Sequence, residues 1–104
     1  MHTNVAAAKG GVEGLVRSMA AELAPRVRVN AVAPSLTHSA MASGLLKSPE
    51  AIEAIGGLHP IPRVGQPEDA GAVASFLLSQ HSGWVTGQVW GVDGGRSVLS
   101  HKNQ

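Results

Sequence analysis

The sequence predicts an α/β protein with parallel strands. Three observations predict it: a long apolar helix stripe within residues 4–24, short strand-like runs at 27–33 and 89–92, and two proline-led helix starts between those runs. Strands separated by helices indicate a parallel sheet, because parallel neighbours need a crossover connection of about a dozen residues or more.

In the first element, Val5, Ala8, Val12, Leu15, Met19 and Leu23 alternate at spacings of three and four, which puts them on one helix face. Thr3 or Asn4 can cap its start, and Pro25, which has no N–H to donate, stops it. Gly10, Gly11 and Gly14 each cost up to about 1 kcal/mol relative to alanine inside a helix. Three of them together imply a surface packed close against another backbone.

The run VRVNAVA, residues 27–33, reads as a strand buried on both faces and ended by Pro34. Residues 34–44, PSLTHSAMASG, are rich in hydroxyls and small side chains and read as a loop, with a short helix after it as an option. Ser48, Pro49 and Glu50 then start a second helix, with proline at the first helical position and an acid in the first turn. Gly56 and Gly57 end it. After the loop 58–66, Pro67, Glu68 and Asp69 repeat the start signal, and Ala70, Val73, Ala74, Leu77 and Leu78 give a third helix an apolar face up to Ser79. A turn at His81 to Gly83 leads to the second strand, Val89 to Val92, closed by a turn at Asp93, Gly94 and Gly95. The tail, SVLSHKNQ, is expected to fray at its end.

Composition bounds the function. The chain has 104 residues, enough for at most one small domain that buries only about 60–65% of its unfolded surface. Two strands cannot make a sheet buried on both faces, so the chain reads as a piece of a larger α/β unit, or as one completed by assembly. The net charge of +1 and the lack of a basic run give no footprint for nucleic acid or membrane. The first residues carry no signal-peptide pattern, and no apolar stretch approaches the ~18 residues of a membrane span. The absence of cysteine removes disulfides and thiolate metal sites and fits a reducing compartment, so the expected location is cytoplasmic. The histidines at 2, 38, 59, 81 and 101 are too scattered for a helical metal pair, and no metal site is expected. No Gly-x-Ser-x-Gly elbow occurs, which speaks against a hydrolase built on Ser35, Ser39 or His38. Trp84 and Trp90 read as packing residues, Asn30 as a hydrogen-bonded strand amide, and Arg63, Glu68 and Asp69 as structural.

Three separated blocks, AAAKGGVEGLVRSMAAELAPRVRVNAVAPS, PIPRVGQPEDAGAVASFLLS and VTGQVWGVDGG, occur in order over about residues 5–97. They resemble the C-terminal part of a short-chain dehydrogenase/reductase (SDR). The resemblance implies a partial Rossmann fold, the C-terminal part of a doubly wound parallel sheet with flanking helices, with residues 1–104 forming part of one Rossmann-like domain. It implies a nicotinamide cofactor, NAD or NADP, and a small carbonyl or alcohol substrate for the intact parent, and a homo-oligomer.

In that family a Tyr-x-x-x-Lys motif opens the long helix. Lys9 matches its lysine, which holds the nicotinamide ribose and lowers the pKa of the tyrosine. The tyrosine position is Val5, and the chain contains no tyrosine at all. A phenol titrating near ~10 beside an ammonium can pass a proton to a substrate oxygen, whereas valine has none to pass. His2 is the nearby group able to take over acid/base work. Pro34 matches the family's proline, Ser35 replaces its usual glycine, Leu36 and Thr37 present backbone groups to the cofactor, and Ser39 stands where a threonine contacts the nicotinamide carboxamide. The glycine-rich pyrophosphate turn has no counterpart here, because Gly10, Gly11 and Gly14 lie within a helix and follow no strand. The expected function is therefore that of an SDR oxidoreductase represented by a C-terminal fragment, inactive alone, with a non-catalytic oligomerisation or binding module as the alternative.

Overall fold

The computed structural model describes the backbone of residues 2–39 and 43–99 and the side chains of residues 10–39 and 43–99. Among these, the element order is α1 (His2–Leu23), β1 (Ala31–Pro34), α2 (Pro49–Gly56), α3 (Pro67–Leu77), a 3-10 turn (Gln80–Ser82) and β2 (Val89–Val92). This is the expected alternation. β1 and β2 form the described sheet. The Ala31 amide donates to the Gln88 carbonyl at 3.0 Å and the Ser35 amide to that of Val92 at 3.4 Å. Both partners advance together along the chain, so the strands are parallel. Donors at 31 and 35 face β2, which leaves the Pro34 nitrogen on the opposite edge, where its missing N–H costs no rung.

The chain divides into two compact units, Met1–Ala31 with Ser75–Trp90, and Val32–Ala74 with Gly91–Gln104. In the first, the buried apolar side chains are Val16 and Ala20 of α1, 7% and 4% exposed, together with Leu77. The expected stripe lies one step around the helix: Val12, Leu15 and Met19 are exposed, Leu15 by 59%. Nor does a second backbone approach the glycines, since a Cβ at Gly10, Gly11 or Gly14 would meet nothing within 4 Å. No described element covers the Val12, Leu15 and Met19 row, and none packs against the glycines, which lie on a neighbouring part of the helix surface.

The strand-like run 27–33 becomes a strand only from Ala31; before it the Gly87 amide donates to the Val29 carbonyl at 2.8 Å, and side chains make the other ties to residues 85–88. The Val29 amide donates to Thr86 Oγ1 at 3.0 Å. The Asn30 amide group donates to the Val85 carbonyl at 3.0 Å, and its oxygen accepts the Gln88 N–H at 3.1 Å. Asn30 is thus the hydrogen-bonded amide the sequence suggests. β1 is half-buried and Pro34 exposed, not buried on both faces. The Arg28 guanidinium donates to the Ser82 carbonyl and hydroxyl at 2.8 and 2.9 Å, and more distantly to the carbonyls of Val85 and Ser79 at 3.3 Å each. Phe76 meets Trp90 edge-on, with ring centroids 6.4 Å apart. Trp90 packs as expected, while Trp84 is fully exposed and does not; Leu78 is exposed and lies beyond α3, which ends at Leu77.

In the second unit, Ser48 caps α2 by accepting the Ala51 N–H at 3.1 Å, with Pro49 in the first turn and Gly57 at the C-terminal cap. Val64 and His59 are its buried residues of note. The Asp93 carboxylate accepts the Gly95 and Ser97 amides at 2.9 and 3.3 Å, closing the turn after β2. Gly94 and Gly95 have φ of 62° and 90°, values that L side chains rarely adopt.

Candidate functional site

Past Pro34 the chain leaves β1 and bends at Leu36 before meeting a second segment. Thr37 forms a parallel bridge with Gly65, in which the Gly65 amide donates to the Leu36 carbonyl at 3.0 Å and the His38 amide to that of Gly65 at 2.9 Å. Thr37 Oγ1 turns back to donate to the Ser35 carbonyl at 2.9 Å. The approach is so close that a Cβ on residue 65 would lie 2.9 Å from Thr37 Oγ1, so only glycine fits without a shift. On the other side, the Ile61 amide donates to the Gly94 carbonyl at 2.9 Å, fastening the 58–66 loop to the turn after β2.

These ties leave a cavity of about 380 Å³ beyond the carboxyl ends of β1 and β2, bounded by residues 35–37, the 59–65 loop and the 91–95 turn. Ser35, Leu36 and Thr37 line it together; Pro34 and Ser39 do not. The side chains of Val5, Lys9 and His2 lie outside the described residues.

Two polar pairs stand at this cavity. Arg63 Nη1 and Nη2 donate to Asp69 Oδ2 and Oδ1 at 2.7 and 2.9 Å, and the Gln66 amide adds a bond to Oδ2 at 2.7 Å. The Arg63 hydrogen bonds, then the Gln66 N–H, hold the Asp69 carboxyl down to about 2. Asp69 in turn pushes the Arg63 guanidinium up from its ordinary value. Near neutral pH the pair contributes no net charge to the cavity wall, and Arg63 is already engaged.

The second pair was not legible in the sequence. Ser35 Oγ lies 2.9 Å from Nε2 of His59, a residue only 2% exposed. His59 Nδ1 faces the carbonyls of Ile55 and Gly56 at 3.0 and 3.3 Å. The fold brings Ser35 to a histidine 24 residues away, one the sequence did not associate with it. No local spacing announces that contact. Among the described residues, no group of three or more His, Cys, Asp or Glu is placed to hold a metal ion. No described helix is long and apolar enough to cross a membrane.

A crevice outside the carboxyl ends of parallel strands is where open α/β sheets take their ligands. Comparison with known proteins agrees on the class. Residues 1–97 match the family described as enoyl-(acyl carrier protein) reductase. The chain is 47% identical over 95 residues to the 3-oxoacyl-acyl-carrier-protein reductase FabG of Thermotoga maritima, covering 89% of this chain and 37% of the relative. It is 42% identical over 93 residues to the galactitol 2-dehydrogenase (L-tagatose-forming) of Cereibacter sphaeroides, covering 88% and 37%. Among solved structures, the ligand-free aldohexose dehydrogenase of Thermoplasma acidophilum superposes with a TM-score of 0.78 at 32% identity, covering 88% of this chain and 40% of that one.

The chain belongs to the short-chain dehydrogenase/reductase family of oxidoreductases, and its fold is part of a Rossmann fold. It spans 37% of the length of these two curated relatives.

Proposed function

We propose that residues 1–104 are the C-terminal part of a single Rossmann-like domain, and that the intact parent is an NAD(P)-dependent oxidoreductase acting on a small carbonyl or alcohol. The observation that carries this reading is the position of the cavity, beyond the ends of two parallel strands and lined by the 35–37 segment. Its walls fit the flat nicotinamide end of a dinucleotide: a close-packed floor at Gly65, hydroxyls at Ser35 and Thr37, and apolar side chains such as Leu36 and Val92.

When bound, the cofactor supplies or accepts the hydride. Lys9 holds the nicotinamide ribose in this reading and adds positive potential, while Pro34, Ser35, Leu36, Thr37 and Ser39 form the segment that orients the ring. With Val5 at the position of the family's tyrosine, the usual proton donor is missing. The chain alone therefore has no dehydrogenase turnover. The test is an assay of the 104-residue protein with NADH or NADPH and small ketones: no oxidation above background is expected, and robust turnover would refute the fragment reading. In the intact parent, Val5→Tyr should raise turnover. We place the parent in the cytoplasm because this chain's freedom from cysteine fits a reducing compartment.

The exposed stripe Val12, Leu15 and Met19 favours a second reading, a non-catalytic module that assembles with a copy of itself. The two readings are compatible in a homo-oligomeric parent.

A further inference from the structure

We propose that Ser35 is an acyl-accepting nucleophile activated by His59, and that the cavity takes small activated carboxylic esters. This activity needs no dinucleotide and goes beyond the oxidoreductase reading.

His59 Nδ1 fixes which ring nitrogen carries the proton. Both of its neighbours, the Ile55 and Gly56 oxygens at 3.0 and 3.3 Å, are carbonyls, which only accept. In the neutral ring the proton therefore sits on Nδ1, and Nε2 presents its lone pair to Ser35 Oγ at 2.9 Å. The hydroxyl donates to that lone pair. Nucleophile, base and orienting group thus stand in hydrogen-bond sequence, with backbone carbonyls in the orienting role. Those carbonyls belong to the last turn of α2. Burial of the ring fixes its orientation, while the half-exposed Ser35 opens onto the cavity. Leu36, Ile61, Val92 and Val98 on the cavity wall suit a short apolar acyl group.

The chemistry closes without an added reagent other than water. Oγ bonds to the ester carbonyl carbon as its proton moves to Nε2. The bond from that carbon to the leaving oxygen breaks, and the leaving group takes the proton from Nε2. Water then attacks the acyl carbon, giving its proton to Nε2; the acid departs, and the proton returns to Oγ. Oxidation states do not change.

The experiment treats the 104-residue protein with p-nitrophenyl acetate and locates the acetyl group by peptide mass spectrometry. Expected is acetylation at Ser35, its loss in Ser35→Ala, its retention on the thiol of Ser35→Cys, and a fall in its rate of at least about 100-fold in His59→Gln, the lower range of general-base assistance. Acetyl found only at other residues, or an unchanged rate in a folded His59→Gln, overturns the proposal. Because His59 is buried, a second readout uses the unsubstituted protein. The ring nitrogen-15 spectrum should show neutral His59 protonated at Nδ1, and protonation at Nε2 overturns the proposal as well.

Discussion

Arg63 and Asp69 meet fork to fork, with Nη1 on Oδ2 at 2.7 Å and Nη2 on Oδ1 at 2.9 Å. The bonds favour the ionised carboxylate, so the folded chain holds the Asp69 proton less tightly than the unfolded chain, down to about 2 from the usual carboxylate range. A group depressed on folding stabilises the fold above its unfolded pKa and loses that contribution as pH falls toward the folded value. Stability is thus expected to drop between about pH 4 and pH 2. Asp69→Asn should flatten that drop, and urea unfolding across the range checks it. A slope unaltered by the substitution would show that the pair is not the cause.

Arg28 ties the turn after α3 to the chain leading into β1 through the Ser82 carbonyl and hydroxyl at 2.8 and 2.9 Å. Ser82 has no exposure, and its hydroxyl also faces the Leu77 carbonyl at 2.9 Å. Arg28→Ala should lower the urea midpoint by an amount worth about 1.5–3 kcal/mol, with little change in the denaturant slope. Arg28→Lys should recover only part, because an ammonium cannot reproduce the planar fork.

Two glycines should respond in opposite directions to alanine. Gly94 has φ 62°, and a Cβ there would sit 3.1 Å from the Ile61 carbonyl oxygen. Gly94→Ala is expected to cost at least about 1–2 kcal/mol from the left-handed backbone alone. Gly71 lies inside α3 with nothing within 4 Å of an added Cβ, so Gly71→Ala should stabilise by about 0.5–1 kcal/mol. Thermal melts of the two variants check the signs.

The uncovered face of α1 gives a prediction about assembly. If a second copy covers Val12, Leu15 and Met19, Leu15→Glu should shift sedimentation toward the monomer while far-ultraviolet circular dichroism stays unchanged. An unaltered sedimentation profile would remove this stripe from the interface.

Local chemistry was the most legible part of the chain. Ser48, Pro49 and Glu50 announce the start of α2, and the Ser48 hydroxyl accepts the Ala51 N–H as such a cap should. The turn at Asp93 to Gly95 is equally local. The start of β1 was not legible, because the Thr86 and Asn30 side chains that interrupt its ladder act across 57 and 58 residues. In α1, Val12, Leu15 and Met19 form one apolar row and Val16 and Ala20 the next. Periodicity cannot choose between adjacent rows when small apolar residues fill both. At the site, resemblance marked residues 35–37, but the approach of His59 to Ser35 depends on the course of the 58–66 loop and leaves no pattern in the sequence.

The cavity at the strand ends is the proposed nicotinamide pocket. Amide chemical shifts of the 104-residue protein, titrated with reduced nicotinamide mononucleotide, test that most directly. Saturable shifts should concentrate at Ser35, Leu36 and Thr37 and at residues 91–95. Shifts confined to other segments, or none at millimolar ligand, would contradict it.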